Sequence, residues 1–220
     1  MKQAKTLFCV ANKGAHCAVA CSHELVPDFT RLAGDRDGWM AHRRRLSLPL
    51  SKTLAALLRT MSDRAFVVRR GVMLEHAPGT RNPVTWVDCL AVTEFGAFVI
   101  DRYDWTGTVK RSLDDDELLV HDKVGVVSVQ TSPLRRAKPA LRHLRAILAE
   151  YDCPVESVAI FAPSHCALDP ALPEAMLYPS ELLHFMRTRL NRFRASHLQH
   201  LDPVRLAAHL EVRCVDWGKS

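Results

Sequence analysis

"VDCLAVTEFGAFVIDRYDWTG", residues 87–107, decides the fold. Apolar, β-branched runs flank Glu94-Phe95-Gly96, and Gly96 can take the positive φ that a three-residue hairpin loop needs. The segment 83–101 therefore reads as two antiparallel strands joined at that loop. Asp88 lies six residues before Glu94 and Asp101 five after Gly96, so the turn brings the two carboxylates opposite or diagonal on neighbouring strands. Two such acids either face solvent at a strand end or share a cation. Oxygen ligands at that range suit Mg²⁺ or Mn²⁺, which could polarise a phosphate and activate water.

Outward from the hairpin, "AFVVRRGVMLEHA" (65–77) is a strand by its β-branched content, and "TGTVKR" and "ELLVH" are short strands around Asp114-Asp115-Asp116. "SPLRRAKPALRHLRAILAEY" (132–151) is an amphipathic helix with Ser132 as cap and Pro133 in its first turn; Pro139 should kink it or mark its true start. "VESVAIFA" (155–162) is a buried strand. Helices follow at 179–193, capped by Ser180, and at 202–213, capped by Asp202. Upstream, Ser51 caps a helix carrying Leu54, Leu57, Leu58 and Met61 at helical spacing. Antiparallel strands followed by helix, strand and helix predict an α/β (α+β) fold, a central mixed β-sheet flanked by helices. Residues 1–45 read as an irregular N-terminal extension, 46–195 as the main domain, and 196–220 as a C-terminal helix packed on it.

The chain has 220 residues, a quarter of them charged, and a net charge of +6, which permits contact with a polyanion such as nucleic acid. Seven cysteines without a Cys-x-x-Cys pair point to free thiols in a reducing, cytoplasmic compartment rather than a disulfide framework. The N-terminus starts basic and "AVAC" (18–21) imitates a lipoprotein box, but Lys13 and His16 interrupt the apolar stretch, so no leader is expected. No apolar run is long enough to span a bilayer, and no membrane association is expected.

The 87–107 stretch resembles the core of the nuclease-related domain family, whose fold is restriction-endonuclease-like, of the PD-(D/E)xK type. In that pattern an Asp precedes a strand, a Gly-apolar turn leads to Glu-x-Lys, a Trp-x-Gly segment follows, and Asn-Pro-x-x-Gln opens a helix. Asp88 matches the first acid, "FGAFVI" the turn and strand, and "DWTG" (104–107) the Trp-x-Gly segment. "SPLRR" (132–136) falls where the helix opens, and the resemblance extends over roughly residues 50–193. It implies a nuclease-type domain whose metal and catalytic acids are Asp88 and Asp101. The departures are chemical. Asp101 stands for the glutamate, Tyr103 for the lysine and Arg136 for the glutamine, and no acid lies between Trp39 and Met61 where the family has a helix glutamate. A phenol is neutral near pH 7 and brings no cation to the scissile phosphate. Lys110 is the candidate replacement from the next strand, with an exposed surface lysine as the alternative.

The first functional reading is a DNA-associated domain with absent or altered metal-dependent phosphodiesterase activity. The second is a catalytically inactive protein–protein interaction module that keeps the fold. Arg135 and Arg136, with Arg43 and Arg44 of "HRRR" (42–45), are the candidate phosphate contacts, against the alternative of a solvated basic face; the arginines of 187–194 are weighed the same way. Cys9, His16, Cys17, Cys21 and His23 lack the tight knuckle spacing of a zinc site, so zinc is not expected. His197 and His200 read as part of a polar linker, and Cys89 as a packing residue.

Overall fold

The computed structural model describes residues 9–11, 15–17, 36–77, 84–162, 164 and 166–213, with side chains from 48 to 211. Strands β1 (Cys9–Ala11) and β2 (Ala15–Cys17) pair with each other. Helix α1 (Arg36–Met61) precedes β3 (Val67–Glu75), β4 (Val84–Thr93), β5 (Gly96–Tyr103), β6 (Gly107–Arg111), β7 (Glu117–His121) and β8 (Val127–Thr131). Then come α2 (Pro133–Ile147), β9 (Val155–Phe161), β10 (Cys166–Leu168), β11 (Met176–Leu177), α3 (Leu182–Ser196) and α4 (Pro203–Arg213).

The central sheet runs β11-β9-β5-β4-β3; β3, β4 and β5 are antiparallel, whereas β5-β9 and β9-β11 are parallel. Helices cover both faces. On one, Leu54 and Leu58 of α1 and Phe185, Met186 and Leu190 of α3 bury Ala91, Phe98, Ile100 and Val158. On the other, Ala140, Leu141 and Leu144 of α2 and Leu206 and Leu210 of α4 bury Leu90, Val92, Ala97 and Val99. The fold is thus a mixed α/β one, as the order of elements predicts. A second sheet, β10-β6-β7-β8, packs Val109, Leu118 and Val120 against Tyr103 and Phe161 at the end of the first.

Local expectations differ from the structure in four places. The helix expected from Ser51 starts at Arg36, so 36–45 is helical rather than irregular. Pro49 and Ser51 look like a start because both favour first turns, yet here the Ser51 hydroxyl bonds back to the Leu48 carbonyl within the helix, 3.0 Å away. The hairpin loop has two residues, not three: Thr93 pairs with Gly96, and the Thr93 hydroxyl holds the Gly96 carbonyl at 2.9 Å. A Cβ on Gly96 (φ +149°) would stand 2.8 Å from the Pro154 carbonyl oxygen, so close strand approach selects the glycine. Pro139 lies inside a continuous α2, and Ser132 sits at its N-cap without a side-chain cap bond. Glu181, not Ser180, closes the start of α3 by accepting the Tyr178 N–H at 2.7 Å, whereas Asp202 does cap α4 through Val204 and Arg205 N–H. Among the described residues no helix is long and apolar enough to cross a membrane.

The turn residue Glu94 is buried (2% exposed) and gathers four side chains. Its Oε1 accepts the Ser62 hydroxyl at 2.6 Å and lies 3.6 Å from Arg194 Nη2. Its Oε2 lies 2.9 Å from Arg64 Nε, near enough to pair by charge, and 3.0 Å from His200 Nδ1, although neither N–H is in line with it. Its backbone carbonyl accepts Leu201 N–H at 3.0 Å. His200, read as linker, is therefore an anchor of the α3–α4 connection. Glu94→Gln should cost about 2 kcal/mol in urea unfolding, because charged pairing of a buried group is lost while its neighbours stay half-solvated.

Two histidines set a pH dependence. His76 follows β3 with Nε2 2.8 Å from the Thr85 hydroxyl, and the buried Nε2 of His143 on α2 has no hydrogen-bond partner among the described residues. Burial holds both below the usual histidine range; His143 and Arg142 lower His76 further, and Glu75 opposes the shift at His143. A lowered folded value means that the unfolded chain binds the proton more tightly, so stability is full above the ordinary histidine value and falls as pH drops through and below it. The urea midpoint should decline from about pH 7 to pH 5 with the ordinary value near 6.5 inside the window, and the slope should flatten in His76→Gln/His143→Gln.

Candidate functional site

The two motif acids meet at the open end of the hairpin. The β4–β5 ladder stops at Cys89–Ile100, and beyond it side chains replace backbone partners. The Asp88 N–H donates to Asp101 Oδ1 at 2.8 Å, and the Arg102 N–H donates to Asp88 Oδ2 at 3.0 Å. The second Asp88 oxygen, Oδ1, accepts the Trp86 indole N–H at 2.9 Å. Asp88 is 1% exposed and Asp101 half-buried. A carboxylate can stand where a strand carbonyl would, because it accepts N–H bonds in the same plane and reaches across a wider gap.

The gap has a cause on the next strand. Along β3, Val67 packs toward the α2–α4 side, but beyond Gly71 it is Val72 and Leu74 that do so; along β4 the same side takes Leu90 and Val92 and then Val87. Side-chain alternation therefore reverses between Arg70–Cys89 and Val72–Val87, where Gly71 and Asp88 face each other outside the regular ladder. Gly71 has φ +61°, a backbone region that a Cβ disfavours. The reversal turns β4 off β5 at Asp88. Gly71 and Trp86 are site residues that sequence reasoning passed over; their signal was a glycine inside a β-branched run and an indole two residues before a buried acid.

The other motif positions are placed as follows. Tyr103 is buried, its ring stacked on Phe161 at 5.5 Å and edge-on to Trp105 at 5.5 Å. Lys110 is exposed on β6; its neighbour Val109 faces Tyr103 and Phe161, so alternation sends Lys110 to the sheet's outer face. It makes no ion pair among the described residues. Arg136 lies half-buried in the first turns of α2. Arg135 and Lys138 share Asp116, at 3.3 and 2.9 Å. The hydrogen bond from Lys138 holds the Asp116 carboxyl below the usual range against some desolvation, with the Arg135 and Lys138 charges adding. Arg43 and Arg44 fall in α1, and their side chains, like those of the Cys9–His23 group, lie outside the described residues.

The α3 arginines are largely neutralised. Arg189 is buried between Glu156 and Glu174, at 2.7 Å from each, and lies 4.2 Å over the Phe185 ring. Arg192 also approaches Glu174, and Arg194 approaches Glu94. Cys89 packs in the core; burial pushes its thiol up, and the Asp88 and Asp101 charges add to that, so it stays protonated.

Among the described residues the acid pair would offer a divalent ion two carboxylates that are already hydrogen-bonded. Three oxygens of the acid pair already accept N–H bonds, and no three of His, Cys, Asp and Glu come together as ligands among the described residues. What the arrangement does is hold a splayed hairpin end rigid. Asp88→Ala should remove the acceptor of the Arg102 N–H and of one indole hydrogen bond and lower unfolding free energy by about 2 kcal/mol. Gly71→Ala should cost about 1–2 kcal/mol through positive φ alone. Equilibrium urea unfolding checks both.

No match to the chain was found among curated proteins or among solved structures. The family model described as nuclease-related domain, by contrast, matches residues 50–162, from the middle of α1 to the end of β9. That span contains the splayed hairpin, the acid pair and the aromatic end of β5, and with it the chain belongs to the nuclease-related domain family.

Proposed function

We propose that this chain is a nucleic-acid-associated member of its family in which metal-dependent phosphodiester cleavage is absent or altered. The observation that carries this reading is Tyr103. Where the family pattern has a lysine, the chain has a phenol whose ring is packed between Trp105 and Phe161. A lysine there would supply an ammonium to polarise a phosphate or steady an attacking water; a buried phenol supplies neither at neutral pH. Lys110 leaves the sheet on the other side, and the oxygens of Asp88 are both engaged by protein donors. Divalent metal is general in the family, and in this chain Asp88 and Asp101 are the residues through which Mg²⁺ or Mn²⁺ would have to act.

Association with nucleic acid is supported by the net charge of +6 and by Lys110, Arg142 and Arg187, exposed cations with no acid partner among the described residues. Binding of this kind is carried by phosphate contacts and weakens with salt. Single- and double-stranded DNA incubated with purified protein and Mg²⁺ or Mn²⁺ should stay intact, while fluorescence anisotropy should show binding that falls steeply between 50 and 200 mM salt. Cleavage that requires the metal and disappears in both Asp88→Ala and Asp101→Ala would overturn the loss of chemistry. Binding insensitive to salt, or none, would overturn the association.

A further inference from the structure

β8 closes one side of the second sheet, and among the described residues no strand pairs with its outer edge. The bonds Asp122 N–H to Val126 O at 2.9 Å and Ser132 N–H to Asp116 O at 2.9 Å fix the parity of the β7–β8 ladder. Residues 126, 128, 130 and 132 turn their backbone groups toward β7. By the alternation of an antiparallel ladder, Val127, Val129 and Thr131 turn their N–H and C=O groups outward. None of these three residues has a side-chain or backbone partner on that side among the described residues.

Edge strands of soluble proteins are usually guarded by charge, proline, bulges or extreme shortness. This one is five residues of VSVQT, and from Gly125 to Ser132 the chain carries no charge and no proline. Val124 and Val126 beside it are exposed, 83% and 38%. β-Branched residues whose outward backbone groups meet no partner among the described residues form a template for another strand.

We propose that β8 pairs antiparallel with β8 of a second copy of this chain, joining the two small sheets into one across a two-fold axis at Val129. An antiparallel edge contact is self-complementary, and so closes as a dimer rather than growing into a fibre. Centred on Val129, the register sets Val127 opposite Thr131 and Val129 opposite Val129, which uses every outward group in about six hydrogen bonds. Slipping the register by two residues leaves Thr131 or Val127 without a strand partner. No like charges meet along the contact because it contains none. At its ends the same register brings the Asp122-Lys123 turn of one copy toward Arg135 of the other, where Asp116 and Lys138 also lie, so both signs find an opposite. The inference is independent of the acid pair and of nucleic-acid binding.

Sedimentation velocity of the full chain at 500 mM salt, with nucleic acid removed, should give a dimer that dissociates on dilution. Val129→Pro removes one outward N–H and no bond to β7, so it should shift the mass to monomer with an unchanged circular dichroism spectrum. Val129→Lys places like charges on the axis and should do the same. Amide exchange at Val127, Val129 and Thr131 should slow with rising concentration. A wild-type monomer at high concentration would overturn the proposal, as would a dimer that survives both folded variants. Slow exchange of those three amides in a monomeric sample would also overturn it, since another segment of the same chain would then cover the edge.

Discussion

Where β4 leaves β5, a carboxylate does the work of a backbone carbonyl. The Asp88 N–H bonds to the Asp101 side chain, and the Arg102 N–H bonds to the Asp88 side chain, so the hairpin can splay without leaving its amides unpaired. Much of the architecture hangs on that exchange. It lets β5 run on to Tyr103 while β4 turns away, and Tyr103 then becomes the contact on which the second sheet packs. Gly71 makes the same exchange possible from the other side of β4, by reversing the side-chain alternation opposite Asp88.

The two ends of the hairpin use buried acids differently. At the turn, Glu94 is surrounded by Ser62, Arg64, Arg194 and His200 and ties α1, α3 and the α4 connection to the central sheet. At the open end, the acid pair is satisfied by an indole and two backbone amides, with the carboxylates standing in for strand carbonyls. Both solutions obey the same rule: a buried charge persists only where donors surround it. In a metal-dependent enzyme some of those donors would give way to an ion. Here the buried ring of Tyr103, packed on Trp105 and Phe161, stands two residues beyond Asp101.

The fold was largely legible because its signals are local. The hairpin at 87–107, the strand 155–161 and the helices after Pro133 and Asp202 each carry a period, a cap or a turn residue that chemistry alone ties to a shape. The misread points share one feature: a residue with two local uses. Ser51 marks a helix start in most settings but sits inside α1, and Pro139 sits inside α2, because packing of Leu54 and Leu58, or of Ala137 and Ala140, holds the helix through them. β8 passed unread because its alternation, VSVQT, runs for only five residues and ends in polar Gln130 and Thr131.

From sequence alone came the α/β class and the pairing of Asp88 with Asp101 across one hairpin, since spacing and residue type are properties of the chain itself; the reading of Tyr103 in a lysine's place came from the family resemblance. The tertiary structure alone decided where side chains point and which charges cancel. It turned Lys110 outward, buried Arg189 between two glutamates, made anchors of Glu94 and His200, and brought Trp86 and Gly71 into the site. The physical reason is that electrostatic and hydrogen-bond partners are chosen by distance in space, at a few ångströms, and in this chain those partners lie as far apart in sequence as Arg64 and His200.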